Sequence, residues 1–147
     1  MANYSFNFVK QINAYKITAD EKPAIFTIAC MTLGPVQDTG HTKTLKAILF
    51  EEDIHDNNQF RDFDHSVSRK FPLLCSPLSK DGHLRMKLKY ANGHYYTAVS
   101  FVDRDNIPTI QSIQSCDAVL LKVHATYVHY ELTDPTYTVV VKECLIY

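Results

Sequence analysis

Tryptophan is absent, glycine occurs four times, and the four cysteines, Cys30, Cys75, Cys116 and Cys144, stand far apart in the chain. Each scarcity excludes something. So few glycines leave no Gly-rich phosphate loop and no Gly-x-Ser-x-Gly elbow. Without a Cys-x-x-Cys pair, neither a zinc knuckle nor a disulfide-stapled secreted scaffold is expected, and the cysteines are read as free buried thiols. Long hydrophobic runs are also missing. Val119-Leu120-Leu121 and Val139-Val140-Val141 are strand-sized, far below the ~20 residues of a spanning helix, so no membrane segment is expected. Residues 1–7 lack the basic start and apolar stretch of a secretory signal, which points to an intracellular protein. Nor is charge of either sign in excess. Lys and Arg total 15 against 16 Asp and Glu, a net charge of -1, so any nucleic-acid role must come from a local patch.

What is present suits one soluble β-rich domain spanning residues 1–147. Hydrophobic residues make up 46% of the chain, and nine Tyr with eight Phe supply rings for both core and surface. Residues 24–33 form an apolar run rich in Ile, Phe and Thr that Gly34-Pro35 ends. Residues 42–50 follow the Gly40 turn as its antiparallel partner. Between 56 and 71 the period changes: Phe60, Phe63, Val67 and Phe71 recur at three and four, the stripe of one amphipathic helix capped by Asp56 or Asn57 and stopped by Pro72. Residues 102–106 read as a polar corner. Ile107, Ile110 and Ile113 then mark a single helical turn or irregular crossing. Residues 118–132 and 137–147 are long β runs joined through Thr133-Asp134-Pro135 as a terminal hairpin.

Residues 84–101 carry the clearest chemistry. Asn92-Gly93 favours a two-residue type I′ turn, and the implied register pairs Leu84 with Phe101, Met86 with Val99, Leu88 with Thr97 and Tyr90 with Tyr95 on an apolar face. Arg85, Lys87, Lys89 and Tyr96 then share the other face with small residues. Three cations beside a ring are suited to neutralising phosphates and stacking a base. Lys43 and Lys46 widen this surface, unless they are ordinary solvent-facing strand residues. Tyr90 and Tyr95 fall on the core side.

Enzyme readings find little. The acidic and imidazole-rich stretches at 51–56 and 61–65 have the composition of a divalent-metal or nuclease site but not the spacing, since no Asp-x-Asp-x-Asp-Gly loop and no His-Glu-x-x-His occurs. Asp62, Asp64 and His65 fall on the polar side of the expected helix. His124 and His129 point to opposite faces of a strand. No cysteine is marked as activated, so no catalytic residue, metal or cofactor is expected.

Several strands, one inserted helix and a terminal hairpin suggest a small barrel or sandwich. The tail half of the chain resembles the single-stranded DNA-binding proteins of short-tailed phages and other DNA viruses. The resemblance runs from Leu84-Arg-Met-Lys-Leu-Lys-Tyr through Val99-Ser-Phe-Val-Asp, then Val119-Leu-Leu-Lys-Val-His-Ala-Thr-Tyr-Val-His-Tyr, and finally Tyr137-Thr-Val-Val-Val-Lys-Glu-Cys-Leu-Ile-Tyr. It covers roughly the last 65 residues well and the first 80 in outline. It implies a mainly β, small Greek-key OB-fold-like barrel with one inserted amphipathic helix at about 56–71. It also implies a non-catalytic, largely sequence-independent binder of single-stranded DNA acting in replication, recombination or repair. The binding face would comprise Arg85, Lys87, Lys89 and Tyr96, with Lys122, Tyr127 and Tyr130 as further candidates. Strand alternation puts Tyr127 in the core unless a bulge intervenes. The family ends in a flexible acidic tail, whereas this sequence ends on Leu145-Ile146-Tyr147, so the resemblance implies that replication partners are recruited differently or not at all. RNA in place of DNA stays open, as does a homodimer through the apolar last strand. The competing reading is a structural or protein-interaction β-domain, such as a viral assembly component, whose basic face is merely solvated or meets an acidic partner.

Overall fold

Alternation of apolar and polar residues becomes strand almost wherever it occurs. The computed structural model describes residues 2–38, 42–51, 55–103, 105, 108–130 and 135–147. Its strands are β1 (Tyr4–Val9), β2 (Ala14–Ala19), β3 (Lys22–Asp38), β4 (Lys43–Leu49), β5 (His83–Leu88), β6 (Tyr90–Ala91), β7 (His94–Tyr95), β8 (Ala98–Phe101), β9 (Val119–His129) and β10 (Thr136–Ile146). Helix α1 (His55–Lys70) lies between β4 and β5, and a short 3-10 helix (Ile110–Ile113) precedes β9. The expected turn at Gly40, Glu52-Asp53-Ile54 of the acidic run, Arg104, Asn106 and Ile107 after the hairpin, and Thr133-Asp134 of the last turn lie outside the described residues.

The chain is mainly β, and its principal sheet is mixed. Five of its strands close a ring of hydrogen bonds: β3 pairs with β4, β4 with β5, β5 with β10, β10 with β9, and β9 again with β3. All these pairs are antiparallel except β5 with β10. The hairpin of β1 and β2 is attached to β9 and to the start of β3, while β8 lies on β10. Leu45, Ala47 and Leu49 of β4 point inward, as do Leu84, Met86 and Leu88 of β5, Leu121, Val123 and Ala125 of β9, and Val139 and Val141 of β10. Period-two alternation therefore supplies one continuous core.

Helix α1 turns its predicted stripe onto that core. Phe60, Phe63 and Val67 are fully buried. The Phe26 ring of β3 meets Phe60 at 5.3 Å and Phe63 at 5.0 Å. Neither Asp56 nor Asn57 caps the helix: α1 begins at His55, so both lie within its first turn, and Asn57 is buried. Its amide oxygen accepts the Ala29 N–H at 2.7 Å, and its amide nitrogen donates to the carbonyls of Ala29 (2.8 Å) and Phe50 (3.3 Å). The helix start is thus fastened to β3 where its ladder with β4 runs out.

The structure corrects four expectations. Residues 84–101 are not one continuous hairpin. Only the tip pairs as expected, with Tyr90 opposite Tyr95, Ala91 opposite His94, and the Tyr96 N–H donating to the Lys89 carbonyl. Instead of pairing with each other, β5 and β8 lie end to end along one edge of β10, with Lys87 opposite Val140 and Ala98 opposite Glu143. A long strand offering its edge to both outcompetes local closure. Secondly, Gly34-Pro35 does not end β3. Gly34, at φ 65°, sits in a register shift between Leu33 and Gln37, and the strand continues to Asp38. Thirdly, Tyr95 is not core: it and Tyr90 stand on the projecting tip, with ring centroids 4.7 Å apart. Fourthly, only Cys30 and Cys144 are buried among the four free thiols, and Cys75 is exposed. The β1–β2 hairpin was missed, although Tyr4, Phe6 and Phe8 alternate and Asn13 takes the left-handed angle at its turn.

Candidate nucleic-acid interface

Strands β4 and β5 position the basic residues. Alternation that sends Leu84, Met86 and Leu88 inward sends Arg85 and Lys87 outward, and all of Arg85, Lys87 and Lys89 are exposed. Lys46 stands directly opposite Arg85, and Thr44 opposite Lys87. The β3 neighbours in these rows are Leu33 and Gln37. Helix α1 packs against the Phe26 side of β3, so these cations remain open to solvent. Among the described residues none of Lys46, Arg85, Lys87 and Lys89 has a carboxylate within 4.0 Å.

The looped-out tip of β6 and β7 rises beside this strip. Tyr96 is 55% exposed, the right condition for a stacking surface. Lys43 behaves differently from Lys46. Its side chain is 7% exposed and ion-paired with Asp38, and its ammonium lies 4.6 Å from the centre of the Tyr90 ring. The Asp38 hydrogen bond holds its pKa above the ordinary lysine value. Lys43 therefore braces the tip instead of facing a ligand. Cation–π contact and ion pair together fix Tyr90, and Tyr90 orients Tyr95.

The strip continues around the ring. Lys87 is opposite Val140 of β10, and Val140 is opposite His124 of β9. Burial, then the charges of Lys142, Lys16 and Lys89, depress the pKa of His124, so this imidazole sits among cations. Sequence reasoning missed Lys16 and Lys142, and weighed His124 only as a metal ligand. The signal was alternation in β2 and β10 read together with the closed ring, which no local window contains. Tyr127 is turned outward, because the pairing steps from Tyr137–Val128 to Val139–Ala125 and leaves an extra residue in β9. Its partner across β2 is Lys16, and its ring lies 6.4 Å from that of His129. Lys122 is exposed but stands opposite Glu143. Tyr130 leaves the set: its ring packs on Phe71 at 5.0 Å.

Asp64, expected on the polar side of α1, accepts hydrogen bonds from the Tyr137 hydroxyl at 2.7 Å and from Ser76. It is a structural acceptor beneath the helix. Among the described residues no group of three or more His, Cys, Asp and Glu side chains converges as a metal site. Burial raises the Cys30 and Cys144 thiols to about 12, which leaves them un-ionised at neutral pH. No described helix is long and apolar enough to cross a membrane. Comparison with protein-family models, with curated proteins and with solved structures finds no match.

Proposed function

We propose that the protein is a non-catalytic, largely sequence-independent binder of single-stranded DNA, built as an oligonucleotide-binding barrel and serving replication, recombination or repair. The fold part of this reading is supported by the ring. In chain order its strands run first, second, third, fifth, fourth and back to the first, a Greek-key connectivity. The second and third are β4 and β5, the strands through which such barrels hold their ligand. One observation carries the functional part: Lys46, Arg85, Lys87 and Lys89 form an open strip without carboxylate partners among the described residues, flanked by the exposed Tyr96. Cations on such a strip neutralise phosphates and release counterions, and a flat ring stacks on any base.

The test is a fluorescence-anisotropy titration with labelled oligo-dT at several salt concentrations. Four phosphate contacts on a single strand give a log–log salt slope of about −3. Changing Lys87→Glu together with Lys89→Glu should flatten that slope and abolish tight binding. Absence of binding at low salt overturns the proposal and favours an acidic protein partner for the same face.

A further inference from the structure

A second surface lies at the β1 edge of the sheet. Strand β1 hydrogen-bonds to β2, and no other strand among the described residues pairs with it. The register identifies the groups left over. Asp20 N–H donates to the Asn3 carbonyl at 2.9 Å, so Asn3 and Asp20 form a hydrogen-bonded pair, and alternation assigns Ser5, Asn7 and Val9 to the same class. The N–H and C=O groups of Tyr4, Phe6 and Phe8 therefore point away from β2. Protein edges are commonly guarded by Lys, Pro or a bulge. The sequence Tyr4-Ser-Phe-Asn-Phe-Val contains no such guard.

Beside this edge runs a groove of about 680 Å³, formed by residues 2–7 and walled by Ser66, Arg69 and Lys70 of α1. Its strand side is held in place by packing. The Tyr4 ring meets Phe63 at 5.0 Å, and the Phe6 ring meets Phe71 at 5.4 Å. Arg69 and Lys70 are exposed, and among the described residues neither has a carboxylate within 4.0 Å. Burial first, then Asp62 and Asp20, raise the pKa of the Tyr4 hydroxyl, but neither acid lines the groove. The groove thus offers backbone donors and acceptors on one wall and two free cations on the other.

We infer that this groove receives an extended acidic segment of a partner protein, which adds to β1 as a further strand and sets its carboxylates against Arg69 and Lys70. A second copy of this chain is the poorer occupant. Two-fold pairing of β1 with β1 brings the Arg69 and Lys70 of both copies to one groove, like charge against like. Strands β2, β9 and β3 separate β1 from the β4–β5 strip in the sheet, so the test of this site stands apart from the nucleic-acid reading.

The experiment is amide hydrogen exchange followed by NMR on the full chain, with a synthetic heptapeptide of alternating Glu and Val, and its Lys and Val counterpart. In the free protein the Tyr4 and Phe6 amides exchange fast, while those of Ser5 and Asn7 are protected. With the acidic peptide Tyr4 and Phe6 slow about tenfold or more, and Arg69→Glu with Lys70→Glu removes that effect while oligo-dT binding is unchanged. Three results overturn the inference: no added protection at Tyr4 and Phe6, equal binding of the basic peptide, or a concentration-dependent dimer that protects the same amides without peptide.

Discussion

Asn57 shows how one buried amide can anchor an element. It satisfies both the N–H and the carbonyl of Ala29 and reaches the Phe50 carbonyl, while being fully buried itself. Asn57→Ala strands these groups without water, and the expected loss is about 2–3 kcal/mol in a urea unfolding curve. From the sequence, Asp56 and Asn57 were equivalent cap candidates; α1 begins ahead of both, and only the nearness of β3 gives Asn57 its anchoring role. Tyr96 poses the reverse case, an exposed ring with little to stabilise. Tyr96→Ala should leave the unfolding midpoint unchanged but weaken oligo-dT binding by about 5- to 150-fold, the value of one base stack. Unchanged affinity would remove stacking from the mechanism and leave charge alone.

At the scale of elements, the segment from β5 to β8 divides what is local from what is not. Asn92 and Gly93 adopt φ of 52° and 78°, and the tip register is the one their turn type dictates. Beyond the tip, β10 lies some fifty residues downstream, and its edge takes both β5 and β8 in parallel. A pattern confined to one window contains no information about that competitor. The tip is consequently an appendage. Replacing residues 90–95 by Gly-Gly should keep β5 and β8 on β10, change stability by about 1 kcal/mol or less, and reduce oligo-dT binding. The buried face of helix α1 was legible because its stripe is its own partner list. Phe63→Ala opens a cavity beneath it and should cost about 3–5 kcal/mol.

The molecule as a whole is closed around two thiols and a phenol that do not ionise in place. Cys30 and Cys144 are raised from 9.0 to about 12, and Tyr137 well above 10.0, in each case chiefly by burial. In the unfolded chain these groups lose their protons earlier. The stability they hold is therefore intact below pH 9 and falls as pH rises from 9 towards 12. Each thiol adds a slope of roughly 1.4 kcal/mol per pH unit. Urea midpoints measured from pH 8 to 11 should descend, and Cys30→Val should make the descent shallower. A flat profile would show that the ring admits water to its core.

The sequence by itself determined the faces. Alternation assigned Arg85, Lys87 and Lys89 to solvent and Leu84, Met86 and Leu88 to the core, and three-four spacing assigned the buried stripe of α1, because both follow from backbone periods that every residue carries with it. Tertiary structure decided the company those faces keep. Closure of the ring put Lys46 beside Arg85 and brought Lys16 and Lys142 towards His124. It also turned Tyr127 outward at a bulge, withdrew Lys43 into an ion pair, and packed the half-buried Tyr130 against Phe71. Partners across a sheet are chosen by hydrogen bonds between distant segments. Their identity is fixed only when the last strand has found its edge.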